Sequence, residues 1–175
     1  MPVMNAPSTP SVEPRSEGFD RVRAALRERD HAHEPLWLTT SARSAQEAAD
    51  ALGVSLGQIA KSVVFRCKAD DTAVLVIAAG DRRVDERKLQ VYTGPLGRAD
   101  ADFVKARTGF SIGGVSPLGF APADAGAGPR LFIDDSLFRF DVIWAAAGHP
   151  NGVFQMTPQQ LVGLTGAPVI EVMQS

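Results

Sequence analysis

Apolar residues first recur at helical spacing at Phe19, Val22, Ala25 and Leu26, with charged residues between them, which predicts an amphipathic helix over 19–29. A short apolar run, Pro35 to Leu38, follows. Ser44 with Glu47 three places on is a capping-box signal, so a helix is expected over 45–52 and Gly53 should stop it. Ser55 to Ile59 reads as a helical turn leading into a strand, Ile59 to Cys67, where β-branched residues cluster around Val63 and Val64. Beyond a turn at Asp70 and Asp71, Thr72 to Ala79 is almost wholly apolar, the pattern of a strand covered on both faces. Together they predict a central hairpin.

Asp85 to Tyr92 and Asp100 to Thr108 each open on an Asp at the N-cap position and predict short helices, the second closed by Gly109. Gly109 to Gly119 then holds four glycines and one proline in eleven residues, too irregular for a helix and too apolar for an ordinary solvent loop. Leu131 to Ile133, Phe140 to Ala147 and Val153 to Met156 read as strands, the last two joined by a turn at 149–152. Thr157, Pro158 and Gln160 supply an N-cap, an N1 proline and a capping-box glutamine for a helix reaching about Leu164, and Pro168 to Val172 is a candidate edge strand. There is no internal repeat. The order of elements predicts a mixed α/β (α+β) domain on a mostly antiparallel, barrel-like sheet surrounded by helices.

Composition adds boundaries to this picture. At 175 residues and 45% hydrophobic content the chain can bury one sizeable core, so one domain over 19–175 is expected. Residues 1–18, rich in Pro and Ser and without an apolar h-region, read as a disordered tail. No apolar run is long enough to cross a bilayer, which makes a cytoplasmic protein without membrane contact the default expectation. With 18 basic against 20 acidic residues the formal charge is −2, so a polyanionic partner would have to be held by a local patch. Basic residues concentrate in the middle of the chain, among them Lys61, Arg82, Arg83, Lys105 and Arg107, although aspartates dilute them.

Familiar catalytic signatures are missing. Around Ser116 the chain reads Gly114-Val115-Ser116-Pro117-Leu118, which lacks the second glycine of a GxSxG elbow, and there is neither a Walker loop nor a complete GxGxxG. Cys67, the only cysteine, rules out an internal disulfide and a multi-cysteine zinc site, and on an apolar strand it is expected to be a buried, inert thiol. His31 and His33, alternating in a polar connector, are a weak metal signal and are expected to be solvated. Lys61 stands apart: flanked by Ile59, Ala60 and Val63, its ammonium must find water, an anion or a buried site. Gly113 and Gly114 would let main-chain N–H groups approach a ligand closely, with Pro117 stiffening the far side of the turn; such a loop can hold a carbonyl or its oxyanion, or be a tight structural turn.

The run Gln58-Ile59-Ala60-Lys61-Ser62-Val63-Val64-Phe65, followed some fifty positions later by Gly113-Gly114-Val115-Ser116-Pro117-Leu118-Gly119, resembles the paired signatures of the YbaK/prolyl-tRNA-synthetase-associated family. That family includes bacterial Cys-tRNA deacylases, the Ala-tRNA editing proteins called ProXp-ala and the insertion domain of bacterial prolyl-tRNA synthetases. The resemblance covers nearly all of Phe19 to Val172. It implies a YbaK-like fold and hydrolysis, without metal or cofactor, of the ester joining an amino acid to the 3′ end of tRNA. On this basis Lys61, Gly113 and Pro117 match the family's functional lysine and the ends of its GxxxP loop. Ser62, Gly114, Val115 and Ser116 are then expected beside the substrate, and a water, assisted by the neighbouring ribose hydroxyl, attacks the ester. His149 with Pro150 resembles the His-Pro pair of the ProXp-ala branch and is expected to line the pocket, while Ala147 and Phe154 are expected in the pocket where the Cys-specific branch has polar Ser and Asp. These departures favour a small, more apolar aminoacyl group, such as Ala, Ser, Thr or 2-aminobutyrate on the tRNA for proline. The implied partners are the acceptor end of an aminoacyl-tRNA and prolyl-tRNA synthetase, with the protein a monomer or weak dimer. A Cys-tRNA deacylase, a non-catalytic aminoacyl- or nucleotide-binding module and a small-molecule esterase are the alternatives.

Overall fold

The computed structural model describes residues 16–123 and 128–175. In chain order the elements are α1 (Glu17–Glu28), β1 (Leu36–Trp37), α2 (Ala45–Leu52), β2 (Ile59–Cys67), β3 (Ala73–Ala79), α3 (Glu86–Thr93), β4 (Leu96–Arg98), α4 (Ala101–Thr108), β5 (Arg130–Asp134), β6 (Ile143–Ala146), β7 (Gly152–Met156), α5 (Pro158–Thr165) and β8 (Val169–Ile170), with 3₁₀ turns at Leu56–Gln58 and Asp135–Arg139. The mixed α/β class follows as expected. The eight strands form one sheet in the order β1-β7-β6-β2-β3-β5-β8, with β4 also on β2; it is open rather than closed into a barrel, and the β2–β6, β3–β5 and β5–β8 pairs are parallel.

Most expected elements stand where the patterns put them, because the local signals are strong. Ser44 and Glu47 make a full capping box on α2, and Thr157 and Gln160 make another on α5. The boundary at the N-terminus moves: Ser16 Oγ accepts from Phe19 N–H as the N-cap of α1, so Glu17 and Gly18 are helical, and the tail expected over 1–18 otherwise lies outside the described residues. The strand expected over 140–147 is shorter, because Asp134 caps a 3₁₀ turn over 135–139 by accepting from Ser136 N–H. β4 carried no pattern of its own; three residues pairing with the end of β2 are too few to show a periodicity.

β3 is the centre of the molecule, with every residue buried. Leu75, Ile77 and Ala79 join Phe19, Val22 and Leu26 of α1, Val104 of α4 and Leu161 of α5 in one cluster, while Val74, Val76 and Ala78 face a second built on Leu89 and Val172. Burying each of these large side chains stabilises the fold by roughly 1.5–3 kcal/mol. A third, smaller cluster seats Ala48 and Ala49 of α2 on Ile59 and Trp144. No helix among the described residues is long and apolar enough to cross a membrane.

Candidate functional site

The neighbours of β2 decide where the main cavity opens. On one side β2 pairs with β3 from Ala60 to Arg66. On the other it pairs with β6 only at Ile59 and Ala60, and with β4 only from Phe65 to Cys67. Lys61 to Val64 therefore have no strand neighbour on that side, and all four line a cavity of about 410 Å³ that fills the gap. The main-chain bonds Gly80 N–H to Ile59 O and Cys67 N–H to Thr72 O set the alternation of the hairpin: odd residues of β2 pair with β3 and even ones point away from it. Ser62 thus directs its peptide groups at the gap. Its hydroxyl is buried and has no hydrogen-bond partner among the described residues, and a buried polar group without one calls for an explanation.

Gly113 lines the same cavity from the loop after α4, together with Ile112 and Val115. The lysine of β2 and the glycine loop, some fifty positions apart, meet in one cleft. Gly113 has φ +96°, a conformation that glycine adopts and other residues rarely do. Gly114 is held from behind: a Cβ there would fall 2.8 Å from the Cα and N of His149.

Lys61 is half-buried, and its Nζ donates to the Gly80 carbonyl over 3.4 Å. Partial burial pushes its pKa below the ordinary lysine value, Arg83 adds in the same direction, and Asp81 and Asp134 oppose them. Asp134 is fully buried and accepts from Ala79 N–H at 3.0 Å and Ser136 N–H at 2.8 Å, which fixes the strand end that presents Gly80. Most of the cavity wall is apolar, and it includes no Asp, Glu, His or Cys among the described residues. Arg43 and Ser44, from the N-terminus of α2, complete its polar part.

Of the residues expected at the site, Lys61, Ser62, Gly113 and Val115 line this cavity. Gly114 and His149 line a second, adjacent one. Ser116 and Pro117 are buried beneath the loop and reach neither wall; Ser116 Oγ accepts from Leu118 N–H within the turn. Ala147 and Phe154 are also absent from both walls, being fully buried in the main core. Their chain neighbours Ala146 and Val153, opposite each other in the β6–β7 register, line the main cavity instead. Ala145 and Gly152, two residues from Ala147 and Phe154, line the cavity too, so position along the strands and not the face decides which residues reach it. Arg43, Ile112 and Trp144 were missed; only the position of Arg43 before the α2 capping box hinted at a cation beside a helix start.

The remaining singled-out residues lie outside the cavities. His31 is not simply solvated: its Nε2–H donates to the Gln155 carbonyl at 2.8 Å, and its ring meets Phe154 edge-on. Cys67 is buried, as expected, with its thiol donating to Thr93 O at 3.5 Å.

The open α/β sheet thus brings a lysine, a serine with a buried hydroxyl and a glycine bend around one largely apolar cleft. The comparisons make the class specific. Residues 39–164 match the family model for the aminoacyl-tRNA editing domain, and the chain belongs to that family. It is 37% identical over 123 residues to the protein YwhH of Bacillus subtilis (strain 168), a match covering 70% of this chain and 74% of that one. It is 40% identical over 83 residues to the proline–tRNA ligase of Pelotomaculum thermopropionicum (strain DSM 13744 / JCM 10971 / SI), 46% of this chain but 14% of the ligase, so it corresponds to a small part of that enzyme. The solved structure of a candidate trans-editing enzyme for prolyl-tRNA synthetase superposes with a TM-score of 0.81 at 35% identity, covering 93% of this chain and 100% of that one.

Proposed function

We propose that this protein is a free-standing deacylase that hydrolyses the ester of a mischarged tRNA in the cytoplasm, with the tRNA for proline carrying Ala, Ser, Thr or 2-aminobutyrate as its substrate. The observation that carries the reading is the convergence of Lys61 and Gly113 on one cavity whose remaining wall is mostly apolar. Its volume of about 410 Å³ falls within the range of about 300–1,000 Å³ usual for small-ligand sites. In this reading Lys61 holds the terminal nucleoside or the ester carbonyl, Ser62 offers its peptide groups and its hydroxyl, unpartnered among the described residues, to the aminoacyl end, and the Gly113 bend fixes the carbonyl's position. With no acidic residue, histidine or cysteine on the wall among the described residues, the attacking water is oriented by the bound substrate, and the ribose hydroxyl next to the ester takes part in proton transfer. The selection is a second sieve: a methylene is worth only about 1–3 kcal/mol in an apolar pocket, so a synthetase that admits small amino acids needs a later step that removes them. The solved relative described as a candidate trans-editing enzyme for prolyl-tRNA synthetase supports this, and so does the match to part of proline–tRNA ligases. Prolyl-tRNA synthetase is the expected partner.

The test is a deacylation panel with Ala-, Ser-, Thr-, 2-aminobutyryl-, Cys- and Pro-tRNA, run with the wild type and Lys61→Ala. At least one of the first four is hydrolysed, Pro-tRNA is spared, and Lys61→Ala loses roughly 10²-fold or more in kcat/KM, the scale of one electrostatic contact in a dry site. Hydrolysis of Cys-tRNA alone would move the chain to the Cys-tRNA branch. Hydrolysis of Pro-tRNA with all the small esters left intact would end the sieve argument.

A further inference from the structure

Beside the main cavity lies a second of about 380 Å³, whose wall carries Ser16, Arg43, Lys105, Ser111, Gly114 and His149. The two are contiguous through one side chain and one peptide: Arg43 lines both, and the chain crosses from the first at Gly113 to the second at Gly114. Unlike Arg27, Arg66, Lys88 and Arg139, which are all paired with carboxylates, neither Arg43 nor Lys105 makes a salt bridge among the described residues. Lys105 has only a long bond, 3.4 Å, to Gly109 O. Glu17, the one carboxylate on this wall among the described residues, is exposed and pairs with neither.

His149 adds a neutral donor. Its Nδ1 accepts from Asn151 N–H at 3.0 Å, which occupies the Nδ1 lone pair, so the neutral ring carries its proton on Nε2. The ring is held against Trp37 with centroids 4.5 Å apart, and burial, with Arg43 second, pushes its pKa below the ordinary value. Two unpaired cations, two serine hydroxyls and a neutral imidazole donor match the needs of a phosphate better than those of an apolar group.

We propose that the second cavity binds the phosphodiester on the 5′ side of the nucleoside that carries the ester, with Lys105 and Arg43 as its cations and His149 Nε2–H as a hydrogen-bond donor. The inference rests on the deacylase reading, since an ester in the first cavity places that phosphate about one nucleoside away. It assigns His149 to positioning: with Nδ1 occupied and Nε2 protonated, the ring has no free lone pair to act as a base.

The experiment measures binding of the dinucleotide CpA and of adenosine to the full chain, for the wild type, Lys105→Gln and Arg43→Gln, by calorimetry and by the ¹⁵N signals of His149. The wild type is expected to bind CpA at least about tenfold more tightly than adenosine at low salt, with a slope of log K on log salt near −0.7 for one phosphate against almost none for adenosine. That preference should shrink to below about threefold in either variant, and CpA but not adenosine should shift the Nε2 signal. Equal affinities in the wild type, a preference that survives both substitutions, or no CpA binding up to about 10 mM would overturn the proposal. Deacylation by the wild type is scored separately. Deacylation without a CpA preference removes only the phosphate subsite, whereas a CpA preference without deacylation removes only the hydrolase reading.

Discussion

Gly114→Ala tests the way the glycine loop is held. A Cβ at this position would lie 2.8 Å from His149 Cα and N and 2.9 Å from its C, three main-chain atoms that cannot rotate aside. Ordinary contact begins at 3.4 Å, so the loop and the His149 turn must part by about 0.6 Å. Overpacking of this kind costs about 1–3 kcal/mol, which for a chain of this size lowers Tm by roughly 2–12 °C. The same movement shifts Gly113 relative to Lys61. A misplacement near 1 Å can cost about 10²-fold, so a fall of roughly 10- to 100-fold in kcat/KM for deacylation is expected. Gly163→Ala is the paired control, because Gly163 is exposed in α5 and a Cβ there meets nothing within 4 Å. It should raise stability by about 0.5–1 kcal/mol and leave the rate alone. Thermal unfolding and single-turnover deacylation of both variants decide the matter. Wild-type Tm and rate in Gly114→Ala would refute the claim that the loop is braced on the His149 turn.

Three further substitutions or titrations bear on the same site. Ser62→Ala removes a buried hydroxyl that has no partner among the described residues, so Tm should hold or rise slightly while deacylation weakens; a loss of more than about 1 kcal/mol would mean that the hydroxyl is bonded in the folded protein. Asp134→Ala strands the buried Ala79 N–H and should cost about 3 kcal/mol, seen as a Tm drop of roughly 6–12 °C, and an unchanged Tm would deny that this carboxylate fixes the strand end at Gly80. By NMR, His149 should titrate below the ordinary histidine value of 6.5, and Arg43→Gln should raise its midpoint. In the window between that midpoint and 6.5 the unfolded chain binds more protons, so the stability linked to His149 is complete above 6.5 and is lost as pH falls through the window. A midpoint above 6.5 would contradict both the burial and the Arg43 contribution.

Much of this protein was legible from its residues, for a local reason. Capping boxes at Ser44 and Thr157, the N1 proline Pro158 and the unbroken apolar run of β3 are signals confined to a few neighbouring positions, and the elements they announce stand within one or two residues of the expected bounds. Lys61 and Gly113 could be singled out because a lysine in an apolar strand and a pair of glycines in an apolar loop are locally incongruous. Their meeting in one cleft depends on β2 lacking a neighbour between β6 and β4, a property of strands distant in the chain. That Ala146 and Val153 reach that cleft and Ala147 and Phe154 do not depends on where β6 and β7 pass the gap beside β2, which follows only from the pairing of distant strands. Arg43 and Lys105, unremarkable among the charged residues of the sequence, acquire a shared cavity only when α2 and α4 close around the glycine loop, because charge acts through distance in space and not along the chain.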